Sequence, residues 1–329
     1  MGIKIILSRK GMDTSIGKLA SPIFTDKKMV SLPIPILIEK EKQAENLDNQ
    51  KTHNDSLKEK HIDGVSSYSE LINKLSGSEI GNDWLYHFDP LIKNEKNSIS
   101  CFGQSEAAAK YLINNLIKNK ENEDWKRNGV YKIPENETIV FLFFGRYHFV
   151  EKEGDNYIYT KYKKDKKAYE YKDLHLVWGY MVVGEIINMN NKYFENQAGK
   201  FNDHPHSTNF YTKKKNNIIF LPKVNKSKVL DFSEDLILTN LNRDPIAMSI
   251  WDINKFRNQS EDGASSSNKK EKNGIPFDYE GERKNSATNP EDKDSLFLKG
   301  QWQELILTNN DECEEILKKL NLSELIKNG

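Results

Sequence analysis

The first hydrophobic run, Ile3 to Leu7, is rich in β-branched residues and closed by the polar stretch Ser8-Arg9-Lys10-Gly11, which predicts an opening strand. A loop follows, with Gly11 and Gly17 supplying turns. Val30 to Ile38 then reads as a second extended piece, and Pro33 and Pro35 suit it to a sheet edge or a polyproline-like conformation. Tyr68 to Leu75 is predicted as a short helix. Ser105 to Ile117 is the best-supported helix, because Ala108, Leu112 and Leu116 recur on one face with Ala109 and Ile113 beside them. Ile139 to Phe144 and Leu176 to Ile187 are nearly continuous apolar runs, the pattern of strands buried on both faces. Gly145, Gly179 and Gly184 lie in or beside them, where glycine marks bulges or barrel corners. Tyr157 to Tyr162 is predicted as a hairpin strand, Asn217 to Leu221 as a core strand and Phe297 to Leu307 as a late strand. Asp311 to Leu320 completes the chain as a helix, with Ile316, Leu317 and Leu320 inward and Asp311 and Glu312 at its N-terminus.

Two stretches break this patterning. Glu39 to Asp63 is dense in charged and amide side chains, and Arg257 to Asp294 is Ser-rich and Lys/Glu-rich; both are expected to be mobile inserts or long loops. No internal repeat is found. The expected fold class is α+β, a mixed and strongly bent β-sheet or partly open β-barrel with flanking helices. It is expected as one domain over 1–329, with polar inserts at about 39–66 and 257–294.

Composition narrows the classes. The 329 residues are 36% hydrophobic and 30% charged, and 49 acids balance 49 Lys and Arg, so no global charge selects a partner. Two cysteines, Cys101 and Cys313, exclude a disulfide framework and a cysteine-ligated metal centre. The longest apolar runs, Thr138 to Gly145 and Leu174 to Ile187, are too short and interrupted to span a bilayer. Met1 to Leu7 lacks the length of a signal peptide. A cytoplasmic protein without a membrane partner is expected.

Five motifs carry candidate chemistry. In Ser8-Arg9-Lys10-Gly11-Met12-Asp13-Thr14-Ser15, cations and hydroxyls at a strand end suit a phosphate, and Asp13 suits a base or metal ligand. The glycine spacing of a Walker loop is absent, and an ordinary polar turn is the plainer alternative. In Tyr86-His87-Phe88-Asp89-Pro90 the proline extends Asp89, so His87 and Asp89 point to one side and the carboxylate can orient the imidazole. The alternative is a turn in which Asp89 bonds local backbone. In Asp203-His204-Pro205-His206 the same logic lets both histidines project together for a metal, a phosphate clamp or acid–base work, against the alternative of a surface loop. Gly103-Gln104-Ser105-Glu106 begins the best helix, where backbone N–H groups attract anions and Gln104 can read a base edge; plain capping by Ser105 explains it equally well. Last, Lys161 to Lys228 holds fourteen Lys against six acids, and five tyrosines from Tyr157 to Tyr171 interleave with lysines. Tyr159 and Lys161 in that hairpin fit the aromatic-plus-cation recipe for single strands, against the alternative of a solvated hairpin.

In their order along the chain, these stretches carry a family resemblance. The opening Ser-Arg-Lys-Gly turn, Ser21-Pro22-Ile23-Phe24, Leu32-Pro33-Ile34-Pro35, His87-x-Asp89-Pro90, Phe102-Gly103-Gln104 and Ala107-Ala108 form its first half. Phe141-Leu142-Phe143-Phe144-Gly145, Trp178-Gly179, Val183-Gly184-Glu185, His204-Pro205-His206 and Gly300-Gln301-Trp302-Gln303-Glu304 form its second. The set resembles the third family of nucleotide modification associated domain proteins of bacteria and phages. Arg146-Tyr147 departs from that pattern, which carries a tryptophan-containing pair, and Tyr180 departs from it after Gly179. The resemblance implies a nucleotide or nucleic-acid partner, DNA ahead of RNA, and partner proteins of a modification or defence system. A looser similarity, the apolar strand, glycine, hairpin and strand ending Val-Gly-Glu, points to the PUA-like barrels, some of which read modified bases; it bears on fold alone.

Two functions are expected from different classes. In the first, an enzyme modifies or removes a base: Ser8, Arg9 and Lys10 hold phosphate and Gln104 orients the base. Asp13 or the His87–Asp89 pair is then the general base, while His204 and His206 act as acid or oxyanion stabiliser. This requires that the residues converge. In the second, a non-catalytic PUA-like module reads a modified base in an aromatic pocket beside the Lys-rich hairpin. A subunit whose polar loops bind another protein is a third class. No cofactor or resident metal is assigned.

Overall fold

The computed structural model describes residues 2–10, 19–37, 65–77, 84–92, 100–117, 123–160, 163–164, 167–168, 173–192, 204–207, 213–242, 248–256, 288–289, 292–297 and 304–326. In chain order its elements begin with β1 (Gly2–Arg9), β2 (Ser21–Ile23), β3 (Ile34–Leu37), α1 (Tyr68–Ser76), β4 (Trp84–His87), β5 (Phe102–Gln104), α2 (Glu106–Leu116) and α3 (Glu123–Asn128). The middle strands are β6 (Val130–Lys132), β7 (Glu137–Glu153), β8 (Asn156–Tyr159), β9 (Lys163–Lys164), β10 (Lys167–Ala168), β11 (Leu174–Asn188) and β12 (Ile218–Val229). The chain closes with β13 (Ile250–Asp252), β14 (Thr288–Asn289), β15 (Asp292–Phe297), β16 (Glu304–Leu307) and α4 (Asn310–Lys319).

The principal sheet runs β16-β1-β7-β11-β12-β5, with β2 and β8 added along β7 and β6 along β11. The β1–β7 and β2–β7 pairs are parallel and the others antiparallel, so the sheet is mixed. The molecule is α+β, with few helices around a strongly curled, open half-barrel sheet. The curl has a local cause. Register shifts interrupt β11 between Val177 and Gly179, Met181 and Val183, and Val183 and Glu185, and each bulge adds twist to the long strand. At Gly184 a Cβ would stand 3.0 Å from the Lys223 amide nitrogen, so the glycine lets β12 follow the bend.

The interior of β7 alternates between two buried faces. Phe141 and Phe143 meet Phe102 and Phe220 at ring-centroid separations of 4.8–5.2 Å, an aromatic block in the same core as Leu112 and Leu116 of α2. The opposite face turns Phe144 against Trp251, at 4.9 Å. α4 lies beside that segment, and its Lys319 ammonium donates to the Asn254 carbonyl at 2.8 Å. The chain ends are tied together: β16 pairs with β1, and the Ile3 N–H donates to Asn310 Oδ1 at 2.7 Å. A smaller core packs α1 through Leu71 and Ile72 onto Phe24, Val30, Leu32, Val150 and Tyr157.

Several expectations shift. The helix over 106–116 buries Ala109, Tyr111, Leu112 and Leu116, so its apolar face is turned toward Tyr111 and away from Ala108. Ser105 occupies the N-cap position without a side-chain capping bond. The expected long loop over 257–294 contains β14 and the start of β15, where β13 supplies a pairing partner for β15. The expected strand over 297–307 is two strands, β15 and β16. The expected insert over 39–63 lies outside the described residues. Among the described residues no helix is long and apolar enough to cross a membrane.

The aromatic block generates a stability prediction. Phe141→Ala removes a ring that is fully buried, and it should cost about 3–5 kcal/mol in urea unfolding. Ile158→Ala, at a side chain 42% exposed on β8, should change stability by no more than about 0.5 kcal/mol. Equal effects would mean that the block is not the core.

Candidate functional site

Four stretches of chain meet at one end of β1. Lys10 follows that strand and is fixed by its N–H, which donates to the Phe144 carbonyl at 2.7 Å. Asp89 lies in the turn after β4, before a cis peptide to Pro90. Gly103 is the middle residue of β5. His206 lies in a 3₁₀ turn, Pro205–Ser207, and His204 immediately precedes it. The turn closes because the Ser207 N–H and hydroxyl both donate to the His204 carbonyl, at 3.0 and 2.7 Å. Both rings still face the same way, 5.5 Å apart.

Asp89 is the hub. Its Oδ1 accepts the Gly103 N–H at 2.9 Å, and Lys10 Nζ stands 3.4 Å from Oδ2. His204 Nε2 is 3.4 Å from Oδ1 and His206 Nε2 is 4.0 Å from Oδ2. The side chains are nearly closed to water: Lys10 is 7% exposed, Asp89 8%, His204 0% and His206 6%. Below the pair, the Lys10 ammonium lies 4.7 Å from the centre of the Phe102 ring, a cation–π contact joining the cluster to the aromatic block. Gly103 is required by space. A Cβ there would fall 2.3 Å from His206 Cδ2 and 2.7 Å from His204 Cε1.

Hydrogen bonds assign the ring protons. The Asn217 side-chain amide donates to the His206 carbonyl at 2.8 Å, which leaves Asn217 Oδ1 to accept from His206 Nδ1 at 2.6 Å. Burial pushes the His206 pKa down to about 3, with Asp89 opposing. Its single proton is therefore on Nδ1, and Nε2 keeps a lone pair toward Asp89. His204 is the mirror case. Its Nδ1 accepts the His206 N–H at 3.3 Å, so its proton is on Nε2. That N–H is at ion-pair distance from Asp89 but lacks the alignment of a hydrogen bond. Burial pushes the Asp89 carboxyl up, but Lys10, His204 and His206 pull it further down, well below the usual carboxylate range. Among the described residues no three His, Cys, Asp or Glu side chains form a group that holds a metal ion. Here the place beside Asp89 Oδ2 is taken by an ammonium.

The family model of nucleotide modification associated domain 3 matches residues 4–122 and 136–290. The chain belongs to that family. No curated protein and no solved structure matches it, so the likeness to PUA-like barrels rests on sequence motifs alone.

In this member of the nucleotide modification associated domain 3 family, the other candidate residues are dispersed. Ser8 is buried in β1. Gln104 ends β5, half-buried. At the following helix start the Glu106 N–H donates to the Lys215 carbonyl at 2.6 Å, and the Glu106 carboxylate pairs with Lys214 at 3.4 Å. The Tyr159 hydroxyl donates to the Ala20 carbonyl at 2.9 Å and its ring packs on His148, 4.8 Å away. Asp13, Lys161 and the His87 side chain lie outside what is described; the His87 backbone pairs with Ile34. Strand alternation separates Arg9 from Lys10: Arg9 shares the Phe144 face of the sheet, whereas Lys10 lies over Phe102. Asn217 was missed by the sequence reading. It orients His206 and is itself held by Asn190, whose Oδ1 accepts the Asn217 N–H at 2.7 Å. Its only signal is its place just before an apolar run.

Two measurements follow from this geometry. Gly103→Ala should displace both imidazoles and destabilise the protein by about 1–3 kcal/mol in urea; full stability would show that the rings have room to move. For pH the sign is set by depressed pKa values. Between about pH 6.5 and about 3, the unfolded chain takes up a His206 proton that the fold refuses. The depressed Asp89 carboxyl adds loss at the acid end of that range. Stability should fall steadily from pH 7 to pH 4, and His206→Asn should flatten the slope. A midpoint that rises on acidification would contradict the assigned charge states.

Proposed function

We propose that the protein is an enzyme acting on a nucleotide or nucleic-acid base, by transfer or hydrolysis, in a DNA-modification or phage-related system. Membership in the nucleotide modification associated domain 3 family ties the chain to nucleotide modification. The observation that carries the catalytic reading is His206: a neutral imidazole whose unprotonated Nε2 lies 4.0 Å from a carboxylate held by an ammonium. That nitrogen is unprotonated at neutral pH, the state a general base requires, and the neighbouring carboxylate favours the imidazolium that forms when it takes a proton.

In this proposal His206 Nε2 accepts the proton of the attacking water or hydroxyl. Lys10 stabilises negative charge developing on the substrate, and the His204 Nε2–H serves as donor. Asp89 holds the Lys10 ammonium and the His204 donor in register. DNA is preferred to RNA as the source of that base. The reader alternative draws less support. Among the described residues two of its aromatic candidates are engaged elsewhere, Tyr157 packed on Phe24 at 5.2 Å and Tyr159 bonded to Ala20.

Mass spectrometry of nucleosides tests the proposal. DNA, RNA and free nucleotides, including phage DNA with modified bases, would be incubated with wild-type protein and with His206→Gln and Asp89→Asn variants. A mass change or released base is expected with the wild type and a drop of about a hundredfold or more in the variants. No chemical change on any substrate, with salt-sensitive nucleic-acid binding retained, would replace the enzyme by the reader.

A further inference from the structure

The opposite face of the sheet holds a second constellation. Arg9 on β1 lies beside Phe144 on β7, and Arg146 is two residues further along β7, hence on the same face. Arg146 in turn pairs directly with His175 on β11. Three adjacent strands thus present two guanidinium groups and an imidazole to one side.

His175 is rigidly placed. Its N–H donates to Thr239 Oγ1 at 2.9 Å, and its carbonyl accepts from the Leu238 and Thr239 N–H groups at 2.8 and 3.3 Å. The Trp251 indole N–H donates to its Nδ1 at 3.0 Å. Because Nδ1 accepts, the ring proton must be on Nε2. That Nε2–H is buried and has no acceptor, in a residue only 1% exposed. Burial, with the charges of Arg9 and Arg146, keeps the ring neutral. On the other side of Arg146, its Nη2 lies 2.8 Å from Asp173 Oδ2, while Asp173 Oδ1 is 3.2 Å from His148 Nδ1. That carboxylate orients the Arg146 guanidinium. A buried donor without a protein acceptor, flanked by arginines, has the chemistry of an anion site.

We propose that Arg9, Arg146 and His175 bind the terminal phosphate of a mononucleotide, at a site separate from the Asp89 cluster and on the other face of the sheet. A phosphate monoester offers three oxygens to three donors. An internal phosphodiester offers only two non-bridging oxygens and leaves one of the three donors without a partner. The site goes beyond the proposed reaction and holds whether or not the Asp89 cluster is catalytic.

The test reads His175 directly. Histidine-labelled full-length protein would be followed by long-range proton–nitrogen spectra while inorganic phosphate, a 5′-deoxynucleoside monophosphate, or an oligonucleotide lacking terminal phosphates is added. The His175 Nε2–H signal should shift saturably with phosphate and more tightly with the mononucleotide. Arg9→Gln and Arg146→Gln should each weaken that response by about tenfold, and Lys28→Gln, in an exposed ion pair, should not. Should a glutamine variant fail to fold, Arg9→Lys keeps the charge without the planar fork and should give an intermediate loss. A His175 signal unmoved by millimolar phosphate and mononucleotide would overturn the proposal. So would a shift produced by the oligonucleotide alone, or unchanged affinity in both arginine variants.

Discussion

A carboxylate shut away from water must find compensating charge, and that constraint organises one end of this molecule. Asp89 is 8% exposed and ionised, so Lys10, Gly103 and the two histidines are not independent choices. The Gly103 N–H comes from a three-residue strand that joins the sheet only through β12. The Lys10 ammonium is delivered by the last turn of β1, which the Phe144 carbonyl holds in place. Removing one member leaves the others buried and unpaired, which is why such clusters fail as a unit rather than by increments.

Alternation along strands then decides which neighbours in sequence become neighbours in space. Arg9 and Lys10 look like one cationic grip in the sequence, yet a strand sends successive side chains to opposite faces. Lys10 is drawn to Phe102 and Asp89, and Arg9 goes to the side of Phe144, Arg146 and His175. Gly145 permits this crowding at the strand end: a Cβ there would fall 2.6 Å from the Lys10 carbonyl oxygen. The two polar constellations are thus back to back, separated by a single layer of backbone.

Legibility follows the same physics. The runs 139–144 and 176–187 announced buried strands because both of their faces are apolar, and Gly179 and Gly184 announced the bends. Asp89, His204 and His206 were legible as candidates because proline restricts the residues before it. Their meeting with Lys10 was not, since it depends on contacts between residues 79 or more positions apart. Asn217 and His175 left no local trace. Asn217 precedes an apolar run, and His175 stands inside one, where a lone histidine usually signifies a satisfied core residue. Only the Trp251 bond, from 76 positions away, shows which of its nitrogens carries the proton.

Stability does not account for the histidines beside Asp89. A buried Lys–carboxylate pair with a backbone N–H already balances charge, and an apolar replacement of the same volume is often no less stable. His206 adds no charge, because burial keeps it neutral, and its acid-sensitive ionisation makes the fold more fragile below neutrality. What it adds is a lone pair aimed at a carboxylate, held in one tautomer by Asn217. His204 adds the complementary feature, a proton aimed at the same carboxylate. An arrangement that costs stability while setting one proton acceptor and one proton donor around a single charge is hard to read as packing, and that physical ground supports the proposal that the cluster is the place of chemistry.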